Sequence, residues 1–218
     1  MTKAIRVHNT GGPEVMTLED VEVGQPGVGE VRVRHTAIGL NFIDVYFRTG
    51  AYPAQTPFTP GFEAAGGVEA VGEGVNNLSV GDRIAYAAQP IGAYAEERLI
   101  AADRLVKLPD EIADRVGAAI MLKGMTTEYL LRRTYAINAG DTILFHAAAG
   151  GVGLIACQWA SHLGATVIGT VGSEEKADLA REHGCHHTII YTQEDFVCLL
   201  YTSDAADERS SVDLGGRR

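Results

Sequence analysis

Residues 146–154 read HAAAGGVGL, a glycine-rich stretch that lies between two apolar segments. The preceding run, TILFH at 142–146, predicts a β-strand, and residues 154–163 predict an α-helix. A strand, a glycine loop and a helix in this order suit a dinucleotide, because small residues let the backbone approach a pyrophosphate. The helix adds free N–H groups and the positive end of its dipole. We therefore expect Gly150, Gly151, Val152 and Gly153 to bind a dinucleotide, the alternative being a close-packed turn without a ligand.

The same pattern continues towards the C-terminus. A second strand is predicted at 165–171, a helix at 174–183 and a third strand at 188–191. With the first strand and helix they form β-α-β-α-β, which is one half of a doubly wound parallel sheet. Residues 110–133 are rich in Ala and Leu at helical spacing and predict a preceding helix. We assign residues 110–197 to a partial dinucleotide-binding domain.

The first hundred residues have a different character, with short strand candidates separated by glycine-containing turns. These candidates are residues 4–8, 30–34, 66–71, 83–88 and 94–100. Their spacing predicts an irregular β-barrel or sandwich over residues 1–109. A single short helix is predicted at 41–48, with Asn41 as its N-cap and an acid in its first turn.

The last residues do not continue either pattern. Residues 198–203 read CLLYTS, which resembles the translation of a transposase-type sequencing adapter. We interpret residues 198–218 as a non-native or disordered tail and the native chain as truncated near Val197. A natural disordered tail is the alternative.

Composition limits the classes of protein. Hydrophobic residues make up 46% and charged residues 21% of the 218, which is typical of a folded globular chain. The net charge of −10 argues against nucleic acid as the main partner. Three widely spaced cysteines, Cys157, Cys185 and Cys198, indicate a reducing compartment rather than a disulfide framework. With no signal peptide and no apolar run of about 18–20 residues, we expect a cytoplasmic protein that does not enter a membrane.

The end of the second parallel strand indicates which dinucleotide binds. An NAD site usually carries Asp or Glu about 20 residues beyond the glycine loop. Residues 172–176 instead read GSEEK, so Gly172 and Ser173 leave room for a phosphate and Lys176 offers positive charge. Glu174 and Glu175 would repel a phosphate if they pointed towards it, but they can also be explained as first-turn residues of the next helix, where acidic side chains suit the helix dipole. The pattern favours NADPH over NADH.

Three segments, HNTGGPEV at 8–15, IGLNFID at 38–44 and AAAGGVG at 147–153, resemble the quinone oxidoreductase group. This group is the zinc-free branch of the medium-chain dehydrogenases/reductases that includes the ζ-crystallin type, and the likeness runs from residue 1 to about 197. It implies a GroES-like β-barrel catalytic domain, then a Rossmann domain, with NADPH-dependent quinone reduction and a homodimer. An enoyl-type double-bond reductase and a non-catalytic NADPH-binding protein or inactive fragment remain alternatives.

The resemblance also bears on metal. Zinc-bearing relatives place Cys in the segment matching Asn41 and His in the segment matching Phe62. Neither residue here offers the thiolate or imidazole that catalytic zinc prefers, so we expect no metal site.

The site that the resemblance implies falls in three segments. Asn41 and Tyr46 are the expected catalytic residues, which orient the quinone or the nicotinamide without acting as acid or base. The cofactor contacts expected nearby are Phe42, Ile43, Asp44, Val45 and Tyr46, with plain helix packing as the alternative for Phe42, Ile43 and Val45. Thr126 and Tyr129 should lie near the cofactor, unless Thr126 is a helix N-cap. Gly172, Ser173 and Lys176 should hold the 2′-phosphate, and Tyr191 should flank the adenosine.

Histidines and cysteines elsewhere are expected to be structural. His183, His186 and His187 lie beside Cys185 at a predicted helix C-terminus, where histidine suits the dipole and caps carbonyls. His146 is expected to be packed and hydrogen-bonded, and Cys157 to lie in the core.

Overall fold

The computed structural model describes residues 1–195 and residue 199. The predicted non-native tail, residues 198–218, therefore lies outside the described residues except for Leu199. The chain divides into two compact units, one ending at Leu122 and the other beginning at Lys123. Along the described part of the chain, no helix is both long enough and apolar enough to span a bilayer.

The first unit is built mainly from antiparallel strands. They are β1 (Thr2–Val7), β2 (Met16–Val21), β3 (Glu30–Gly39), β4 (Glu63–Val71), β5 (Arg83–Ala87), β6 (Glu97–Ala101) and β7 (Val106–Lys107). β1 and β2 form a two-stranded ribbon, and the others form a five-stranded sheet in the order β6-β3-β4-β5-β7. Short 3₁₀ turns occupy Pro13–Val15 and Ala102–Arg104, and the helix α1 spans Phe42–Thr49.

The predicted barrel is not closed in the described residues. β1 meets the segment before β6 through one isolated bridge, Ala4 to Ala95, and meets Phe58 through another at Val7. Isolated bridges do not extend a ladder, so the ribbon and the five-stranded sheet stay separate sheets. Val31, Val33, Ile84 and the fully buried Tyr86 form part of the core on one face of the larger sheet.

The sequence prediction missed β2 entirely. Its residues, MTLEDV, are mostly exposed and include Glu19 and Asp20. A strand that buries neither face lacks the apolar alternation by which strands are recognised. It forms because β1 offers a complete antiparallel partner, from Thr2 opposite Val21 to Val7 opposite Met16.

The second unit contains the parallel sheet. The helix α2 (Asp114–Tyr129) contains the division after Leu122, so only its last turns belong to this unit. After it come a π turn at Leu130–Thr134, β8 (Thr142–His146), α3 (Gly151–His162), β9 (Thr166–Val171), α4 (Glu174–Glu182) and β10 (His187–Ile190). The strands are parallel in the order β10-β9-β8, which confirms the predicted β-α-β-α-β unit. Ala156, Cys157 and Ala160 of α3 pack with Val167 and Val171 in its core. Small residues on α3 let the helix lie close to the sheet.

The start of α3 and the expected position of Thr126 differ from the predictions. α3 begins at Gly151 rather than Leu154, because Gly150 takes the extended N-cap conformation and the glycines enter the first turn. Thr126 lies inside α2, twelve residues after its first residue Asp114, so the N-cap role considered for Thr126 is wrong.

Candidate cofactor and substrate sites

The glycine loop in the second unit connects β8 to α3. Ala147 has a positive φ of 54°, and the Gly150 N–H donates to its carbonyl oxygen at 2.8 Å. A Cβ added at Gly153 would lie 2.4 Å from the carbonyl oxygen of Ala147 and 2.5 Å from that of Ala148. Gly153 therefore allows the first turn of α3 to rest directly on the loop backbone.

The N-terminus of α3 is left open for an anion. Its N-cap is Gly150, no side chain caps it, and its first turn contains no acidic residue. The first N–H groups of a helix have no intrahelical acceptor. Three glycines around uncapped N–H groups fit a pyrophosphate, which needs close backbone approach and hydrogen-bond donors.

Lys123 is a residue of this loop region that the sequence prediction did not assign. A Cβ added at Gly151 would lie 2.8 Å from both Cδ and Cε of Lys123. The lysine stem therefore crosses the first turn of α3 where only glycine leaves it room. A sequence pattern gives no sign of this contact, because 28 positions separate the two residues in the chain.

The N-terminus of α4 is capped by its own residues. Ser173 is the N-cap, and its hydroxyl accepts the Lys176 N–H at 3.3 Å. Glu174 and Glu175 are exposed first-turn residues, as the NADPH interpretation required. A Cβ added at Gly172 would lie 2.8 Å from the Tyr191 hydroxyl, so these two predicted site residues are neighbours. The structure thus brings Gly172, Ser173, Lys176 and Tyr191 to the carboxyl end of β9.

The two predicted contacts on α2 lie three residues apart in its last turns. Tyr129 is exposed, whereas Thr126 is half-buried. Between them, the fully buried Thr127 donates its hydroxyl to the Lys123 carbonyl at 2.9 Å, one turn earlier. Thr126 and Tyr129 therefore share one helix face.

In the first unit, Asn41 lies at the centre of a buried polar network. Its backbone N–H donates to Oδ2 of Asp44 at 3.0 Å, and its side-chain Nδ2 donates to Oε1 of Glu63 at 2.7 Å. The other oxygen of Glu63, which is completely buried, accepts the Leu122 N–H at 2.6 Å. Because a carboxylate only accepts hydrogen bonds, Glu63 holds the Asn41 amide with its NH₂ group inward.

Asp44 acts within this network as a hydrogen-bond acceptor. Its Oδ2 also receives the Tyr94 hydroxyl at 3.0 Å. Burial raises the pKa of Tyr94, and the neighbouring Asp44 carboxylate raises it further, so the phenol stays protonated. Glu63 and Tyr94 were not predicted as site residues, since they lie 22 residues from Asn41 and 50 from Asp44 along the chain.

The remaining predicted contacts on α1 separate into two groups. Phe42 is 71% exposed, and its ring lies 5.2 Å from that of Tyr46 in an edge-on arrangement. Tyr52 continues this exposed aromatic row, 5.2 Å from Tyr46. Ile43 instead packs against the cluster of Val7, Phe47 and Phe58, and Val45 is half-buried.

A cavity of about 260 Å³ opens beside this network. Its polar lining comprises Asn41, Asp44, Arg48 and Tyr94. Its apolar lining comprises Met16, Leu40, Phe42, Val45 and Pro60. Apolar walls with a few convergent polar groups are typical of a site for a small organic molecule.

The residues at the positions that bind zinc in zinc-bearing relatives do not suit zinc. Asn41 and Phe62 supply no thiolate or imidazole, and both oxygens of Glu63 already accept hydrogen bonds. Over residues 1–195, no three His, Cys, Asp or Glu side chains come together as a metal site. His183 is the C-cap residue of α4, with Nδ1 2.8 Å from the Leu179 carbonyl, as its position predicted.

His146 and Cys157 have the structural surroundings predicted for them. Nδ1 of His146 lies 3.0 Å from the Thr170 hydroxyl, and this hydrogen bond joins the ends of β8 and β9. Cys157 is fully buried in the core of the second unit.

Comparison with known proteins gives consistent matches. Residues 27–110 match the family model of the alcohol dehydrogenase GroES-like domain, and residues 151–201 match that of the zinc-binding dehydrogenases. These matches confirm the predicted GroES-like and Rossmann fold types.

Individual relatives are similar over most of the chain. A quinone oxidoreductase of Pseudomonas aeruginosa is 57% identical over 196 residues, which cover 89% of this chain and 60% of the relative. A 2-haloacrylate reductase of a Burkholderia species is 52% identical over 202 residues, covering 90% and 61%. The solved structure of Escherichia coli quinone oxidoreductase complexed with NADPH has a TM-score of 0.89 at 48% identity, covering 91% of this chain and 61% of that one. The chain thus spans about three-fifths of the length of the curated relatives it matches.

Proposed function

We propose that this chain, which is similar to quinone oxidoreductases over about three-fifths of their length, belongs to the quinone oxidoreductase group of the medium-chain dehydrogenases/reductases and that the protein reduces quinones with NADPH. The observation that supports this most directly is the uncapped N-terminus of α3 in its glycine cradle. Many helices satisfy one of their first N–H groups with the side chain of the N-cap residue, whereas Gly150 has no side chain to do so, which leaves these groups available to an anion.

We propose a division of labour along the chain. Residues 1–109 supply the catalytic domain and residues 110–197 part of the cofactor domain. When bound, NADPH supplies a hydride to the acceptor. The pyrophosphate is held by Gly150, Gly151, Val152 and Gly153, the 2′-phosphate by Gly172, Ser173 and Lys176, and the adenosine is flanked by Tyr191.

The nicotinamide side is assigned to α1 and α2. Asn41 and Tyr46 orient the reacting groups, and the further contacts are Phe42, Ile43, Asp44, Val45, Thr126 and Tyr129. Support for Asn41 comes from its amide, which the buried Glu63 holds in one orientation. Support for Tyr46 comes from its place in the exposed aromatic row. Ile43 would act mainly by packing α1 onto its core.

Reduction of an activated double bond is the second candidate function. The lining of the cavity beside Asn41 would accept a small conjugated carbonyl compound as readily as a quinone. The similarity to a 2-haloacrylate reductase also supports this alternative. A non-catalytic NADPH-binding protein, or an inactive fragment, is the third.

Turnover on two acceptor classes separates these functions. The purified protein would be mixed with NADPH and either a benzoquinone or an α,β-unsaturated carbonyl compound, and NADPH absorbance followed. Faster oxidation with the quinone supports the proposal, and faster oxidation with the unsaturated compound favours the second candidate. NADPH binding seen by fluorescence without oxidation by either acceptor would favour the third.

We also propose that the protein is a cytoplasmic homodimer, as the resemblance implies. Light scattering on the protein eluting from a size-exclusion column measures its mass directly. A mass of one chain would contradict the dimer.

A further inference from the structure

Arg48 lies in the last turn of α1 and has no role assigned above. Its backbone carbonyl accepts the Gly11 N–H at 3.0 Å, which holds the end of the helix in place. Its side chain is half-buried and lines the 260 Å³ cavity together with Asn41 and Tyr94.

The guanidinium group of Arg48 lacks an acceptor. Its Nε is buried without a hydrogen-bond partner, and no hydrogen bond or ion pair of this group is found within the part of the chain that the structure describes. Arg32 and Arg98 also carry a buried nitrogen without a partner, but each donates through another nitrogen, to Gly24 and Pro90 respectively. A buried donor without an acceptor is destabilising. Because Arg48 lines the cavity, a molecule bound there could supply the missing hydrogen-bond acceptor.

The charges around the cavity indicate what kind of acceptor fits. The Asp44 carboxylate also lines it, and its Oδ2 is occupied by the Asn41 N–H and the Tyr94 hydroxyl. The raised pKa of Tyr94 keeps its hydroxyl neutral, so Tyr94 adds no charge to the cavity. Because the Asn41 N–H and the Tyr94 hydroxyl already donate to Asp44, the Arg48 N–H groups are the donors available to an oxygen bound in the cavity. Hydrogen bonds from a guanidinium are strongest to an oxygen that carries negative charge, so they favour a carbonyl oxygen that becomes negative during reaction.

We propose that Arg48 is a catalytic residue whose N–H groups stabilise the negative charge that develops on the substrate oxygen during reduction. This inference rests on the proposed function. The five apolar lining residues suit a small flat conjugated carbonyl compound, and the guanidinium plane supplies donors to its oxygen. Donors placed where charge develops are a large contribution to catalysis.

The step balances without a further reactant. When NADPH is bound, its hydride would form an O–H bond at one quinone oxygen. Both carbonyl π-bonds are lost as the ring becomes aromatic, and the displaced electron pair comes to lie on the other oxygen, which gives the hydroquinone monoanion. Arg48 donates hydrogen bonds to that oxygen but keeps its protons. One proton from water then completes the hydroquinone, while NADPH becomes NADP⁺.

Binding of 4-nitrophenol tests the oxygen site without NADPH. Its phenolate resembles the hydroquinone monoanion and absorbs differently from the phenol, so the spectrum reports which form is bound. The protein should bind the phenolate and lower the pKa of the bound phenol. Arg48→Met should weaken phenolate binding about tenfold or more and abolish that pKa shift. Arg104→Met is the matched control, because it removes a guanidinium from an exposed ion pair with Asp103. It should bind the phenolate as tightly as the unchanged protein does and lower the pKa of the bound phenol by the same amount.

Steady-state kinetics with a quinone provide the second measurement. Arg48→Met should lower kcat about 100-fold while the KM for the quinone changes only a few-fold, because the bond strengthens in the transition state. If circular dichroism shows that Arg48→Met does not fold, Arg48→Gln carries both measurements. It keeps a neutral donor but loses the charged guanidinium, so we expect losses in the same direction that are smaller than those of Arg48→Met.

The outcomes separate this inference from the proposed function. Unchanged phenolate binding, or an unchanged kcat, in a folded Arg48 variant overturns the role of Arg48 while leaving quinone reduction intact. If the protein binds the phenolate through Arg48 but no quinone supports its oxidation of NADPH, the proposed function is overturned while the oxygen site at Arg48 stands.

Discussion

The N-termini of α3 and α4 follow neighbouring parallel strands and so lie at the same edge of the sheet, yet they are built in opposite ways. α3 begins with Gly150, without a side-chain cap and without an acid in its first turn. α4 begins with Ser173, which caps it, and carries Glu174 and Glu175. No side chain of the N-cap accepts an N–H group of α3, whereas Ser173 accepts the Lys176 N–H of α4. If a phosphate binds beside α4, as we propose, it meets a helix end that is already partly capped and carries two acidic residues, so we expect its recognition to depend mainly on side chains.

Replacement of Gly153 by Ala should produce the largest effect. The added Cβ would meet two backbone carbonyl oxygens at 2.4 and 2.5 Å, and backbone cannot move aside without displacing the loop. We expect a loss of roughly 3 kcal/mol in the free energy of unfolding and a loss of NADPH binding. Urea denaturation and NADPH fluorescence measure the two effects.

Gly67→Ala is the matched control for this substitution. A Cβ at Gly67 meets nothing within 4 Å, and its φ is not positive. The free energy of unfolding of Gly67→Ala should stay within about 0.5 kcal/mol of that of the unchanged protein. Equal effects of the two substitutions would show that Gly153 is not specially constrained.

Gly150→Asp would make α3 resemble α4. A carboxylate at the N-cap accepts the first-turn N–H groups, so it both competes with and repels a pyrophosphate. We expect NADPH to bind about 30-fold more weakly, with stability changed by less than about 0.5 kcal/mol. Isothermal titration calorimetry measures the affinity. Unchanged NADPH affinity would contradict a pyrophosphate at this helix end.

Lys176→Glu tests whether side chains beside α4 recognise the 2′-phosphate. Lys176 is exposed on the first turn of the helix, so the substitution should leave the fold unchanged. We expect the KM for NADPH to rise about tenfold, because an attractive charge becomes a repulsive one, and the KM for NADH to change little. Equal changes in both KM values would refute a contact with the 2′-phosphate.

Ser173→Ala should have the smallest effect, mainly on stability. It removes the acceptor of the Lys176 N–H, and loss of an N-cap costs about 1 kcal/mol. NADPH should bind only a few-fold more weakly, since one neutral hydrogen bond is lost. Ser173→Thr keeps the hydroxyl and should restore stability in thermal unfolding. A large loss of NADPH affinity in Ser173→Ala with no change in stability would reverse the roles assigned to the two helix ends.

The parts predicted correctly share a physical basis, which is that their signals are local. The strands β8 to β10 and the helices α3 and α4 follow from apolar periodicity within ten or so residues. The glycine loop follows from small residues in one short run. β2 was missed because it is paired but exposed, so its sequence carries no periodic signal.

The site in the first unit could be predicted only in part. Asn41, Phe42 and Tyr46 were expected because they lie in or next to a segment that resembles the quinone oxidoreductase group. Glu63, Tyr94 and Arg48 were not expected there, because their importance depends on contacts with residues that are distant in the chain. The direction of Ile43 was also undecided by sequence, since only packing shows that it faces Val7 and Phe58.

The sequence by itself determined the β-α-β-α-β unit, the glycine loop that joins β8 to α3, and the resemblance to the zinc-free quinone oxidoreductase group. These depend on the order and spacing of residues within short stretches. Only the tertiary structure decided that α3 has no side-chain cap at Gly150 while Ser173 caps α4, and that Glu63 orients Asn41. It also decided that Arg48 lines a cavity and that its guanidinium has no acceptor among the described residues. Whether a polar group has a partner is a property of folded distances, and residues remote in sequence set those distances.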